Sequence, residues 1–189
     1  MVLKDIVIET ATLLKLDNVL RLKELGGDLD DAQAKKDLEL IKTCINLVLK
    51  EIASFYVPLK TVEEVLVKNS KIPYVDLQKP ALDIKSVKDS CGQKRYFKVY
   101  PSYIYTDCEG KCHIEYAYLP ANVADLDEKT EYQNSKITSS IIAFGAAREY
   151  CFIMSMYEDA QMWDARFKDS LANASRQNTV LTVPERLWR

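Results

Sequence analysis

Glycine is scarce in this chain, with five residues in 189, and histidine scarcer still, with His113 alone. So few glycines leave little material for phosphate-cradling loops, and neither Gly-x-x-x-x-Gly-Lys-Ser/Thr nor Gly-x-Gly-x-x-Gly occurs. With one imidazole, any general-base scheme built on histidine must use His113, and no Gly-x-Ser-x-Gly elbow accompanies it. No stretch approaches the roughly 18 consecutive apolar residues of a membrane span. The opening residues carry Asp5 and Glu9 and no small-residue cleavage site, which does not read as a signal peptide. A basic excess is missing too: the formal net charge is -2, whereas a protein that grips nucleic acid gains its affinity by displacing phosphate counterions with Lys and Arg. The five cysteines are an odd number in a chain without an export signal. They are expected as reduced thiols made in a cytosol, not as a disulfide framework.

What the chain does have is a composition that is 48% hydrophobic, enough for one sizeable core. Its longest Pro-free helical pattern runs over 135–174. Ile137, Ile141, Phe144, Ala147, Cys151 and Met154 form one stripe and Ala160, Trp163, Phe167 and Leu171 a second. Between them Ser155 and Glu158 have the spacing of a capping box, so two helices with a corner near Ser155 are expected, with Trp163 and Phe167 buried against N-terminal helices. At the other end Leu3, Ile6, Val7, Thr10, Leu13, Leu14 and Leu16 begin a helical pattern that reaches Leu25, with a break expected at Asp17-Asn18 and a stop at Gly26-Gly27. Asp30, with Gln33 three residues on, reads as the cap of the next helix, which must end by Pro58. The two helices are expected as an antiparallel pair.

From Val57 to Leu119 the chain holds most of its Pro and Tyr and alternates rather than repeating at 3.6. Residues 62–67 are ambiguous between strand and helix. Residues 81–87 and 96–100 read as strands, with a turn over 89–92. The stretches 103–105 and 113–119 read as a hairpin with Glu109-Gly110 at its tip. The expected fold is therefore α+β. It is read as a single domain over 1–189, with a helical part (1–56 plus 135–174) flanking a small, mostly antiparallel β part (57–119), a linker over 120–134 and a tail over 175–189.

The sharpest candidate for chemistry is Cys108-Glu-Gly-Lys-Cys112-His113, because two thiolates and an imidazole suit tetrahedral zinc and Cys91 in a nearby turn offers a fourth ligand. Against it stand a loose spacing and a tip sequence that a hairpin needs anyway, so no metal or cofactor is expected. Cys44 and Cys151 sit on apolar stripes and read as core. The carboxylate pairs at Asp30-Asp31, Glu63-Glu64 and Asp125 with Asp127-Glu128 read as solvated surface. Catalysis finds no support in these residues. Lys94, Arg95 and Lys98 lie in a basic stretch and Asp125, Asp127 and Glu128 in an acidic one, which makes both candidate interface patches. In the tail, 179–183 alternates like a strand, Pro184 ends it, and Leu187, Trp188 and Arg189 are residue types that anchor interfaces.

The order of elements, with the runs Ile114-Glu-Tyr-Ala-Tyr-Leu-Pro120, Ala146-Ala-Arg-Glu-Tyr-Cys151 and Tyr157-Glu-Asp-Ala-Gln-Met-Trp-Asp-Ala-Arg-Phe-Lys-Asp-Ser-Leu171, resembles the head-to-tail connector proteins of tailed bacteriophages. These adaptor or gatekeeper subunits form a ring beneath the portal. The resemblance implies a virion structural protein made in the bacterial host cytoplasm and assembled as a homo-oligomeric ring at the neck. Its partners would be the portal and tail proteins, with DNA passing through without tight or sequence-specific binding and no membrane involved. Two other classes stay open: a small cytosolic regulatory or binding module with a Cys/His metal or thiol site at 108–113, and an enzyme using His113 or Cys112. Metal analysis of the purified protein separates the first of these, and neighbouring portal and capsid genes would mark the connector.

Overall fold

A computed structural model describes residues 1–133 and 136–176. Among these residues the α-helices are α1 (Leu3–Leu13), α2 (Asp17–Leu20), α3 (Ala32–Glu51, continued by a π-helical turn over Ile52–Tyr56), α4 (Ser139–Ile153) and α5 (Tyr157–Arg176). Seven strands lie between α3 and α4: β1 (Leu59–Val67), β2 (Lys71–Pro73), β3 (Ala81–Asp89), β4 (Lys94–Arg95), β5 (Phe97–Val99), β6 (Tyr103–Thr106) and β7 (Gly110–Tyr118). The fold is α+β, with N- and C-terminal helices flanking a central antiparallel β region. The chain, read above as one domain, divides into two compact units, one made of Met1–Leu49 with the segment from Asn122 onward, the other of Lys50–Ala121.

In the helical unit, α4 is the central element. It packs against both α1 and α5, so the expected N-terminal antiparallel pair is not the main contact that α1 makes. Nine of the 15 residues of α4 are buried, and Gly145 is where neighbours come closest: a Cβ there would lie 2.7 Å from a methyl of Val48 on α3 and 3.0 Å from the Phe167 ring on α5. Thr138 caps its start, the hydroxyl accepting from the Ile141 N–H. The second expected stripe, Ala160, Trp163, Phe167 and Leu171, is buried throughout. Trp163 stacks on Phe144 with ring centroids 5.9 Å apart, in a cluster that includes Leu13 and Leu14 from the end of α1. The first stripe fails only at Met154, which is 49% exposed because α4 has ended.

The ends of α1 and α4 are built alike. Each closes with paired carbonyl contacts around a left-handed residue: Leu16 and Lys15 donate to Ala11 and Thr12, and Met156 and Ser155 donate to Cys151 and Phe152. The left-handed positions are Lys15 (φ 55°) and Ser155 (φ 60°), where glycine is usual. Ser155 therefore ends α4 and does not open α5 in a capping box, and the first break in the N-terminal pattern falls at Lys15, ahead of Asp17. One residue separates expectation from structure at α3 as well, where Asp31, not Asp30, caps the helix by accepting from Gln33 and Ala34.

The segment read as a linker is part of the helical fold. α1 has no side-chain cap, and its first N–H groups, at Leu3 and Lys4, donate instead to the carbonyls of Glu128 and Leu126. Asn46 on α3 grips the same segment with both ends of its amide, donating to the Val123 carbonyl at 2.9 Å and accepting from the Val123 N–H at 2.8 Å.

In the β unit, one sheet has the order β1-β7-β3-β4 and the other β2-β6-β5, all antiparallel. Residues 62–67 resolve as strand. β1 turns into β2 through Asn69 and Ser70, both at positive φ as a two-residue hairpin with the strand twist requires. Ile114 and Tyr116 from β7, Val65 and Val67 from β1, and Ile72 and Ile104 from the other sheet share one apolar cluster. The expected hairpin between 103–105 and 113–119 does not form. β6 lies between β2 and β5 and β7 between β1 and β3, so residues 107–109 carry the chain from one sheet to the other.

Two stability tests follow from this packing. Trp163→Ala should cost about 3–5 kcal/mol, the range for emptying a buried aromatic site, read by denaturant unfolding. Ser155→Gly should act the other way. Relief of a left-handed strain of about 1–2 kcal/mol exceeds the roughly 0.5–1 kcal/mol of added chain entropy, giving a melting point higher by a few degrees.

Candidate assembly surfaces

Alternation along β7 decides the fate of the Cys/His cluster. Cys112 faces the apolar core at 0% exposure, so His113, the next residue, points to the other face, where its strand partners are Glu64 and Lys88. The thiol and the imidazole cannot converge on one ion from opposite faces of a strand. Cys108 and Cys112 are moreover joined in a disulfide, which corrects the expectation of reduced thiols at these two positions and removes both as thiolate ligands. Cys91 stays free and exposed in the β3–β4 turn. Among the described residues no group of three or more His, Cys, Asp or Glu is placed to hold a metal ion. Cys44 and Cys151 are buried, and burial pushes the Cys44 thiol up to about 12 and raises that of Cys151.

The carboxylate pairs separate in the same way. Glu64 is exposed and paired with Lys111 at 2.7 Å. Glu63, read as surface, is 9% exposed: its carboxylate accepts from the Tyr116 hydroxyl and, at 3.1 Å, from the Gln78 N–H. Burial, and then the hydrogen bond to Glu63, raise the Tyr116 hydroxyl to about 12, so it stays a donor at any physiological pH. This is a structural tie across β1 and β7 to the loop before β3.

Of the basic patch, Lys94 and Lys98 are exposed and face no carboxylate among the described residues, and Lys98 lies over the Tyr100 ring at 5.3 Å. Arg95 is committed elsewhere. Its Nε and Nη2 donate to Asp89 at 2.9 and 2.6 Å, while the other Asp89 oxygen accepts from the Cys91 and Gln93 N–H groups and so shapes the turn. The Gln93 N–H, outweighing the desolvation, and then Arg95 hold the Asp89 carboxyl below its ordinary value. On the helical unit, Asp125, Asp127 and Glu128 are all exposed on the segment that covers the start of α1, and Glu128 accepts from the Ala124 N–H. The two patches thus belong to different compact units. Leu187, Trp188 and Arg189 lie outside the described residues.

One surface escaped the sequence reading. Around the α4–α5 corner Phe152, Ile153, Met154, Met156, Tyr157 and Met162 are exposed. The signal was available as the apolar run Phe152-Ile-Met154 continuing past the turn, but a periodic stripe assigns such residues to core.

No protein-family model matches the chain, and no curated protein matches it. The physical surfaces therefore carry the functional reading.

The disulfide has a direct check. Alkylation in denaturant without reductant should label three thiols, those of Cys44, Cys91 and Cys151, and five after reduction. Five labelled thiols in the unreduced protein would return Cys108 and Cys112 to the thiol state.

Proposed function

We propose that the chain is a non-catalytic virion protein, a ring-forming head-to-tail connector subunit that joins portal to tail and surrounds the DNA channel. The observation that carries the reading is the pair of opposite charge patches on different compact units: Lys94 and Lys98 on one, Asp125 and Asp127 on the other. A subunit that repeats head to tail needs two different, mutually complementary surfaces, and a basic patch meeting the acidic patch of the next copy supplies them. A net charge of -2 suits a channel wall past which DNA slides, since a strongly basic wall would hold phosphates. The element order and the three runs that resemble phage connectors add the assignment to the neck, with portal and tail proteins as the remaining partners.

Charge exchange tests the joint. Lys94→Glu with Lys98→Glu should weaken self-association in sedimentation, as should Asp125→Lys with Asp127→Lys. All four changes in one chain should restore it, and all the effects should shrink at high salt. Unchanged association in both pairs would remove the charge joint. Co-sedimentation with a portal ring tests the placement, and a chain that binds no portal or tail protein is not a connector.

A further inference from the structure

Among its described residues the helical unit carries an apolar surface at the corner where α4 gives way to α5. Phe152, Ile153, Met154, Met156, Tyr157 and Met162 are exposed there by 38–60%. A single large apolar side chain in water is ordinary, but six within eleven positions form a patch of the kind that marks an interaction site. Beside the patch a cavity of about 360 Å³ opens between the end of α1 and the corner, lined by Leu13, Leu14, Cys151, Met156, Met162 and Trp163. Lys15 and Asp159 add one charge of each sign to its lining. Of the four methionines in the chain, three sit here, at 154, 156 and 162. Unbranched thioethers repack around an incoming side chain and favour contact with aromatic rings.

We infer that this corner receives the Leu187-Trp188 segment of a second copy of the chain. The segment offers what the cavity lacks: a large aromatic anchor beside a leucine, between Glu185-Arg186 and Arg189, whose charges match Lys15 and Asp159. Length alone would let the segment return to the corner of its own copy. α5 is 20 residues, roughly 30 Å from corner to end, and the dozen residues from Arg176 to Trp188 extend to about 40 Å. A return to the corner of its own copy would draw Val180, Leu181 and Val183 along the solvent face of α5. Gln161, Lys168, Asp169 and Asn173 are exposed on that face, and the apolar residues Ala160, Trp163, Phe167 and Leu171 are already spent on the core. A second copy imposes no such path. The inference rests on the homo-oligomeric part of the proposed function and needs no portal.

The test uses two full-length variants that are defective in different halves of the joint: a tail variant, Leu187→Ser with Trp188→Ala, and a corner variant, Met156→Glu with Met162→Glu. The corner residues are exposed, so circular dichroism melting should be close to wild type, and Met156→Gln with Met162→Gln replaces the pair if it is not. Each variant alone should lose most of the self-association that the wild type shows in sedimentation. Mixed, they should recombine into pairs, because an intact tail then meets an intact corner on another chain. Loss without recombination means that the tail folds onto its own copy and overturns the inference. Variants that associate like the wild type overturn it while leaving the ring reading in place. A wild type that is monomeric at every concentration also overturns it, and portal binding, measured separately, then decides the connector reading.

Discussion

A guanidinium taken out of water must be met on every side, and in this protein that constraint falls on Arg148, which is 6% exposed. Its Nε and Nη2 donate to Glu149 at 3.0 and 2.6 Å, its Nη1 donates to Asp164 at 3.2 Å, and its plane lies over the Phe167 ring at 4.8 Å. Asp164 and Phe167 stand on α5, so these two contacts are made only while α4 and α5 lie side by side. Desolvation pulls the Asp164 carboxyl up, but the hydrogen bonds from Lys168 and Arg148 outweigh it and leave the group below its ordinary value. Such a pair is weak evidence of net stability, since an apolar replacement of equal volume can do as well. Breaking it from one side leaves an uncompensated buried charge, which costs about 3–5 kcal/mol. Its observed contacts tie α4 to α5 at one register of the hairpin. The same register sets Trp163 against Phe144 and turns the apolar corner outward, and α1 leans on the α4 that it fixes.

Legibility in the sequence followed the range of each interaction. Burial along one element was readable, because a helix or strand has a fixed period: all four members of the α5 stripe are buried, and β7 places Ile114, Tyr116 and Tyr118 inward as alternation requires. The α+β class came from the same periods. Pairing was not readable. Residues 103–105 and 113–119 are close in sequence and flank Glu109-Gly110, yet the tip crosses between sheets, and strand partners are chosen by the shared core of Ile72, Ile104 and Ile114. Corners misled for a chemical reason. Serine is a good helix start and carries no signal for the left-handed position, so only backbone geometry shows that Ser155 closes α4. The Asn46–Val123 clamp joins residues 77 apart and has no local signature.

For the candidate surfaces the limits were sharper. Exposed charge was readable at Lys94, Lys98, Asp125 and Asp127, but Arg95 looked like its neighbours and is tied to Asp89. Cysteine parity spoke to the compartment and could not see that two of the five thiols lie within bonding distance. The exposed corner was hidden by the rule that read the rest correctly, since apolar residues on a helix are normally core.

The Asn46 amide holds Val123 within hydrogen-bond reach, and α3 leaves the helical unit only three residues later, at Leu49, roughly 5 Å further along the helix. The chain therefore departs for the β unit and comes back through almost the same point. A change of length in the strands and turns beyond Pro58 leaves this clamp, and with it the points where the chain leaves and re-enters the helical unit, in place.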